Sequence, residues 1–207
     1  FGDIKGESLS SDPEGFEVLT QVRAAAPGYE TVMNSFLERN PHSFLVPQIM
    51  WHHAMNLFDA QEYDLAGDVL GNIKVKSLMK GQKTQYLFTK AYCDLEARDL
   101  ESAEANFRSV ENEPFSDYTA PSRYALGYIN YVNRDFGEAV GWFEKARKDS
   151  RFAQMSNYYI MESRFMLGDH EFVTRNGDEM YEAVPQERRP HLARIISESW
   201  MVLGDAD

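Results

Sequence analysis

One cysteine, Cys93, stands among 207 residues, so no internal disulfide can form and the redox compartment is left open. Proline is scarce, eight in all, and most of these fall between periodic segments, as expected of helices with punctuated joints. No apolar run approaches the ~20 residues of a membrane span, which excludes direct insertion of a helix. Basic residues are outnumbered 21 to 33, and the net charge of −12 excludes nucleic acid and anionic membrane as natural partners, because both require a basic face. The chain opens on Phe1 and not on methionine, consistent with a processed or trimmed start.

Hydrophobic residues make up 43% of the chain, enough for a sizeable core. Their arrangement repeats. The clearest unit runs from Tyr124 through Leu126, Gly127 and Tyr131, then from Asp135 to Ala139, then to Trp142, Phe143 and Ala146. It reads as two helices joined by a tight turn. Gly127 lets the first helix approach its neighbour, and Ala139 marks a crossing where only a small side chain fits. Phe143 and Ala146 follow four and seven residues on, along the same helical face. The spacing recurs as Ala66, Leu70, Ile73 and as Ala103, Phe107, Val110, and in degraded form as Val173, Gly177, Met180. The steps from Ala66 to Ala103, Ala139 and Val173 are 37, 36 and 34 residues. The extra residues fall in two polar, turn-rich loops, from Lys74 to Gln82 and from Asn112 to Pro121.

Partial units flank these. Pro13 to Ala25 and Gly28 to Arg39 read as a preceding helical pair, with Ser11-Asp12-Pro13-Glu14 supplying a cap and then proline at the first helical position. Pro190 to Leu203 reads as the first helix of a further unit. Leu203-Gly204-Asp205 copies Leu167-Gly168-Asp169, and the partner helix of that last unit would follow the end of the chain. The expectation is a piece of a longer repeat protein.

These units resemble tetratricopeptide repeats over about residues 47 to 183, through Leu126, Gly127, Ala139, Phe143 and Ala146 above all. The pattern departs at the tyrosine slot, where Asn130 stands and Tyr131 follows one residue late. The stretch from Ser35 to Ser43, followed by Pro47, resembles the repeat junction of envelope members in Gram-negative bacteria, of the Tol-Pal coordinator or outer-membrane assembly lipoprotein type. The resemblance implies an all-α, right-handed superhelical solenoid of antiparallel helix pairs. It divides the chain into a degenerate pair (1–46), four repeats (47–183) and the first helix of a further repeat (184–207). It also implies a periplasmic or cell-envelope location, with a cytoplasmic one as the alternative.

Catalytic chemistry finds little support. His52 and His53 point about 100° apart on a helix and cannot grip one ion together. His170-Glu171 opens like a zinc-protease motif, but Thr174 stands where the second histidine belongs. His170 is expected instead in the aromatic slot held by Tyr63 and Phe136 in other units. Gly81-Gln82-Lys83-Thr84 lacks the glycine spacing and the strand of a phosphate loop, and a helix start at Thr84 is the better account. Cys93 has no histidine near it in sequence and reads as a packed thiol. No catalytic residue, metal or cofactor is expected.

One constellation remains. Three positions spaced i, i+4, i+7 on each first helix form a stripe: Trp51-Met55-Phe58, Phe88-Tyr92-Leu95, Tyr124-Tyr128-Tyr131 and Tyr158-Glu162-Phe165. In the resembled family these positions face a concave groove. Trp51, Phe88, Tyr92, Tyr124, Tyr128, Tyr131 and Tyr158 are therefore the candidate anchors for a protein or peptide partner, since aromatic rings offer large, rigid contact area. Equally, the rings could simply pack first helices together. The expected function is a non-catalytic scaffold binding a partner of basic or neutral character. The alternatives are a segment whose job is assembly, either with copies of itself through the exposed terminal helix or as a structural repeat segment of a larger multidomain protein, and a hydrolase built on helical repeats.

Overall fold

A computed structural model describes residues 12–79 and 81–204. Ser11, Asp205 and the rest of the first eleven residues, named above as parts of a cap and of a repeat signature, lie outside the described residues. Eleven α-helices and no strand occur among the described residues: α1 (Pro13–Arg23), α2 (Tyr29–Arg39), α3 (Val46–Asp59), α4 (Tyr63–Gly71), α5 (Gln82–Glu96), α6 (Leu100–Glu111), α7 (Thr119–Val132), α8 (Phe136–Ala146), α9 (Ser150–Met166), α10 (His170–Ala183) and α11 (Arg189–Gly204). Short 3-10 turns stand at Val75–Ser77 and Gln186–Arg188.

The connectors explain why helices pair. Those before α4, α6, α8 and α10 are each three residues long. Each holds a residue in the left-handed region, namely Gln61, Arg98, Arg134 and Gly168, at φ of 64°, 61°, 63° and 75°. The residue after it turns back on the preceding helix: the amides of Glu62, Asp135 and Asp169 donate to the carbonyls of Leu57, Asn130 and Arg164 at 2.9, 2.8 and 2.9 Å. This ties off the last carbonyls of the first helix. Asp99, Asp135 and Asp169 then cap the next helix, their carboxylates accepting from the amides of Ser102, Glu138 and Phe172. An aromatic contact crosses three of these turns edge-on, at 5.4 Å for Phe58–Tyr63, 5.7 Å for Tyr131–Phe136 and 5.6 Å for Phe165–His170.

Two units divide between Arg98 and Asp99. In the first, α1 packs on α2 and α3, α3 on α4, and α4 on α5. Its core includes Val18, Val22, Phe36 and Ile49, with Ala54, Ala66, Leu70 and Ala91 also buried. In the second, each helix from α6 to α11 packs on the next, and α9 also touches both α7 and α11. Ala103, Phe107, Val110, Ala139, Phe143, Ala146, Val173 and Met180 are buried there, the small-and-apolar series read from the sequence. The division falls between α5 and α6, the helices on either side of the Arg98 turn. A second helix packs both on its partner and on the first helix of the next repeat, as α4 does on α5, so repeats and packing units need not share limits.

The cap expected just before Pro13 is Asp12, its carboxylate accepting from the Gly15 amide at 2.8 Å. Other local readings need correction. α5 begins at Gln82 and not at Thr84. Gln82 Oε1 accepts the Met79 amide at 2.7 Å and so supplies a side-chain acceptor at the loop's end. Pro121 lies within the first turn of α7 and not in the loop, a place where its missing N–H costs nothing. Asn130, in the slot of a tyrosine, is buried and donates from Nδ2 to the Leu126 carbonyl at 2.8 Å, so its amide is satisfied without a partner helix.

Candidate functional site

In the first unit, Trp51 is 2% exposed and belongs to the core. Phe88 and Tyr92 are half-buried on α5. Tyr92 meets Tyr63 at 5.3 Å, Phe58 at 5.5 Å and Phe88 at 6.4 Å between ring centres. Burial first, then the charge of Glu96, pushes the Tyr92 phenol above its ordinary value. These rings pack the first helix of one repeat against the turn of another.

The second unit is different. α7 carries Tyr124, Tyr128 and Tyr131 on one face, and Tyr128 is 39% exposed while the other two are half-buried. On α9, Tyr158 is only 4% exposed. The sequence-based expectation of Trp51 and Tyr158 as open anchors is thus corrected: the apolar neighbours of both absorb the rings into the core. Tyr158 packs with Met161, Val173, Leu192 and Ile195.

The ring that organises this face is Tyr159, which the sequence reading passed over. It stacks on Phe143 at 5.0 Å with planes 10° apart. It also meets Tyr131 at 5.0 Å, Tyr158 at 5.3 Å, Tyr128 at 6.0 Å and Tyr124 at 6.4 Å. Tyr128 therefore stands partly in solvent, edge-on to the half-buried Tyr159 ring.

Glu162, one turn beyond Tyr158 and Tyr159, anchors the polar part. Its carboxylate lies beside the phenols of Tyr131 and Tyr158 and, after burial, raises the pKa of both. The Tyr158 oxygen lies 2.9 Å from His191 Nδ1 on α11, and Arg194 Nη2 lies 2.9 Å from His191 Nε2. A guanidinium only donates, so Nε2 must accept, and the neutral ring carries its proton on Nδ1. The chain of donors then runs from Arg194 through His191 to Tyr158, beside Glu162. Arg194 is itself paired with Glu198 at 2.6 Å.

Burial dominates the phenols here. It pushes Tyr124 up to about 12, with the neighbouring Tyr159 and Tyr128 adding to it and Arg188 opposing. Tyr158 is pushed up to about 12 by burial and then by the charge and hydrogen bond of Glu162. Tyr131 is raised further for the same two reasons, in the same order. These hydroxyls therefore keep their protons well above neutral pH.

The remaining chemistry-bearing side chains are committed elsewhere. His53 Nδ1 lies 2.9 Å from the Tyr29 hydroxyl, and burial lowers the pKa of both His52 and His53. His170 Nδ1 lies 3.1 Å from Ser199 Oγ, and its ring fills the aromatic slot beside Phe165. Cys93 is buried and its thiol is pushed up to about 11 by desolvation, which suits a packing role. Among the described residues no three His, Cys, Asp or Glu side chains group so as to hold a metal ion. No described helix is long and apolar enough to cross a membrane. No protein-family model, curated protein or solved structure matches this chain.

Proposed function

We propose that the chain is a tetratricopeptide-type scaffold without catalytic chemistry of its own, and that it binds a protein or peptide partner on the face shared by α7, α9 and α11. Repeat steps of 37, 36 and 34 residues, connectors of the same three-residue length, and contact of α1 with α3, α7 with α9 and α9 with α11 support the repeat reading. In such a stack the first helices line the inner face of a right-handed superhelix. The observation that carries the binding reading is Tyr128, an exposed ring edge-on to the half-buried Tyr159, which is itself stacked on the buried Phe143; an exposed aromatic on such a base is the form of an interface anchor. A location in the bacterial envelope rests on the junction from Ser35 to Pro47; a cytoplasmic scaffold is the alternative, and cell fractionation decides between them.

The test is capture from envelope extracts with the chain as bait, repeated with Tyr128→Ala. Truncating an anchoring ring commonly costs ~2 kcal/mol or more, roughly thirtyfold in affinity. The expected result is loss of the captured protein with an unchanged helical circular dichroism spectrum. Capture that ignores the substitution would contradict the reading.

A second reading has its own observation. Trp200, Met201 and Val202, near the end of α11, are 60%, 60% and 49% exposed. An apolar group of this kind suits self-assembly through the terminal helix. Sedimentation of the chain with Trp200→Glu and Met201→Glu tests it, and an unchanged mass would remove this reading.

A further inference from the structure

Glu162 has a side chain only 16% exposed. The phenols of Tyr131 and Tyr158 lie beside it and His191 Nε2 stands 4.0 Å from its Oε1, but among the described residues no lysine or arginine pairs with it. A carboxylate in such a setting keeps an unmatched negative charge beside ring faces that are themselves electron-rich. Arg188, in the turn before α11, is the complement of this arrangement. It is exposed, no carboxylate among the described residues pairs with it, and its guanidinium carbon lies 5.0 Å from the centre of the Tyr158 ring. Its charge is also felt by the phenols of Tyr124 and Tyr159. The chain's own cation thus rests on the rim of a site built from rings and one carboxylate.

We propose that this face accepts the guanidinium of an arginine side chain from a peptide ligand, and that Arg188 occupies the ring end of the site in the unliganded protein. The inference rests on the binding reading above and names what is recognised. A planar guanidinium can lie on the tyrosine faces while its N–H groups reach the Glu162 carboxylate, and its weak hydration makes it easier to bring there than an ammonium. The net charge of −12 favours the approach of such a ligand. Arg188 sits on a short 3-10 turn and not inside a long helix, so its displacement disturbs little of the fold.

The test uses N-acetyl-arginine amide and its neutral isostere N-acetyl-citrulline amide, titrated into the whole chain and followed by tyrosine resonances in nuclear magnetic resonance. Arginine should bind at least about tenfold more tightly than citrulline, as expected for a charge-assisted contact. Arg188→Ala should bind arginine about two- to fivefold more tightly than the wild type, because an internal competitor held by one exposed cation–π contact has gone. Glu162→Gln should remove most of the preference over citrulline. Equal binding of the two ligands by the wild type, or an Arg188→Ala affinity that stays level or falls, would overturn the proposal. If Glu162→Gln loses the fold, the Arg188→Ala titration decides alone, since that side chain is exposed. Failure of the arginine titrations while partner capture still depends on Tyr128 would remove this inference and leave the binding face standing. Capture indifferent to Tyr128 would remove the reading beneath it.

Discussion

Gly127 is where fold and face meet, and replacing it with alanine tests both. A Cβ placed there falls 2.7 Å from Cδ1 and Cε1 of Phe143 and 2.9 Å from its Cγ. Phe143 is fully buried, stacked on Tyr159 and edge-on to Tyr124 at 5.7 Å, so its ring has no free direction in which to swing. Overpacking of this kind costs about 1–3 kcal/mol. Against it stands the better helix propensity of alanine, about 1 kcal/mol. The net expectation is a loss of roughly 1 kcal/mol, the difference of those two terms. Gly141 in α8 is the control, because a Cβ there meets nothing within 4 Å. Gly141→Ala should therefore gain up to about 1 kcal/mol from propensity alone. Urea unfolding followed by circular dichroism measures both variants, and their separation of about 1–3 kcal/mol isolates the packing term. If Gly127→Ala proves as stable as Gly141→Ala, the close approach of α7 to Phe143 is wrong. A strained Phe143 would also push Tyr159, so the same variant should weaken partner capture.

Arg134 is exposed at φ 63°, a conformation that costs a side-chain-bearing residue about 1 kcal/mol, so Arg134→Gly should raise the melting temperature by roughly 2–4 °C. Asp135→Ala, which removes the cap from the Glu138 amide, should destabilise by about 1 kcal/mol; a neutral effect would show that water replaces the cap. Tyr124 and Tyr158 are held near 12 by burial, and for Tyr158 also by Glu162, so the folded chain keeps protons that the unfolded chain releases near the ordinary value of 10. Their contribution to stability is complete below about pH 10 and is lost as the pH rises toward 12, which absorbance at 295 nm and circular dichroism should follow together. Two phenols ionising at the ordinary value with helicity intact would contradict the packing described for them.

Much of the helical framework was legible because it is written in residue size. Ala66, Ala103 and Ala139 recur at helix crossings, and each is buried where the spacing put it. The turns at Gln61, Arg98, Arg134 and Gly168 follow from the same register. The face was less legible. An i, i+4, i+7 stripe says which residues share a side, but not whether that side meets water or another helix. Trp51 and Tyr158 lie on the stripe and are buried, whereas Tyr128 is open. Tyr159 was missed because it stands one residue off the stripe and owes its role to α7, not to its own helix. The adjacent pair Tyr158-Tyr159 was the available signal: neighbouring rings on a helix point about 100° apart, so one can enter the core while the other reaches the preceding first helix. Glu162 stood on the stripe, yet its importance comes from Tyr131 and His191, which only packing brings near it.

The central claim is that a partner sits on the α7, α9 and α11 face, and the most direct measurement is site-specific photocrosslinking in the native extract. A benzophenone amino acid is placed at Tyr128 in one protein and at Arg175, an exposed position on α10 whose side chain is 73% accessible, in another. The account predicts one discrete adduct from position 128, none from 175, and loss of the 128 adduct when excess Tyr128-bearing chain competes. Equal adducts from both positions, or an adduct from 175 alone, would contradict it.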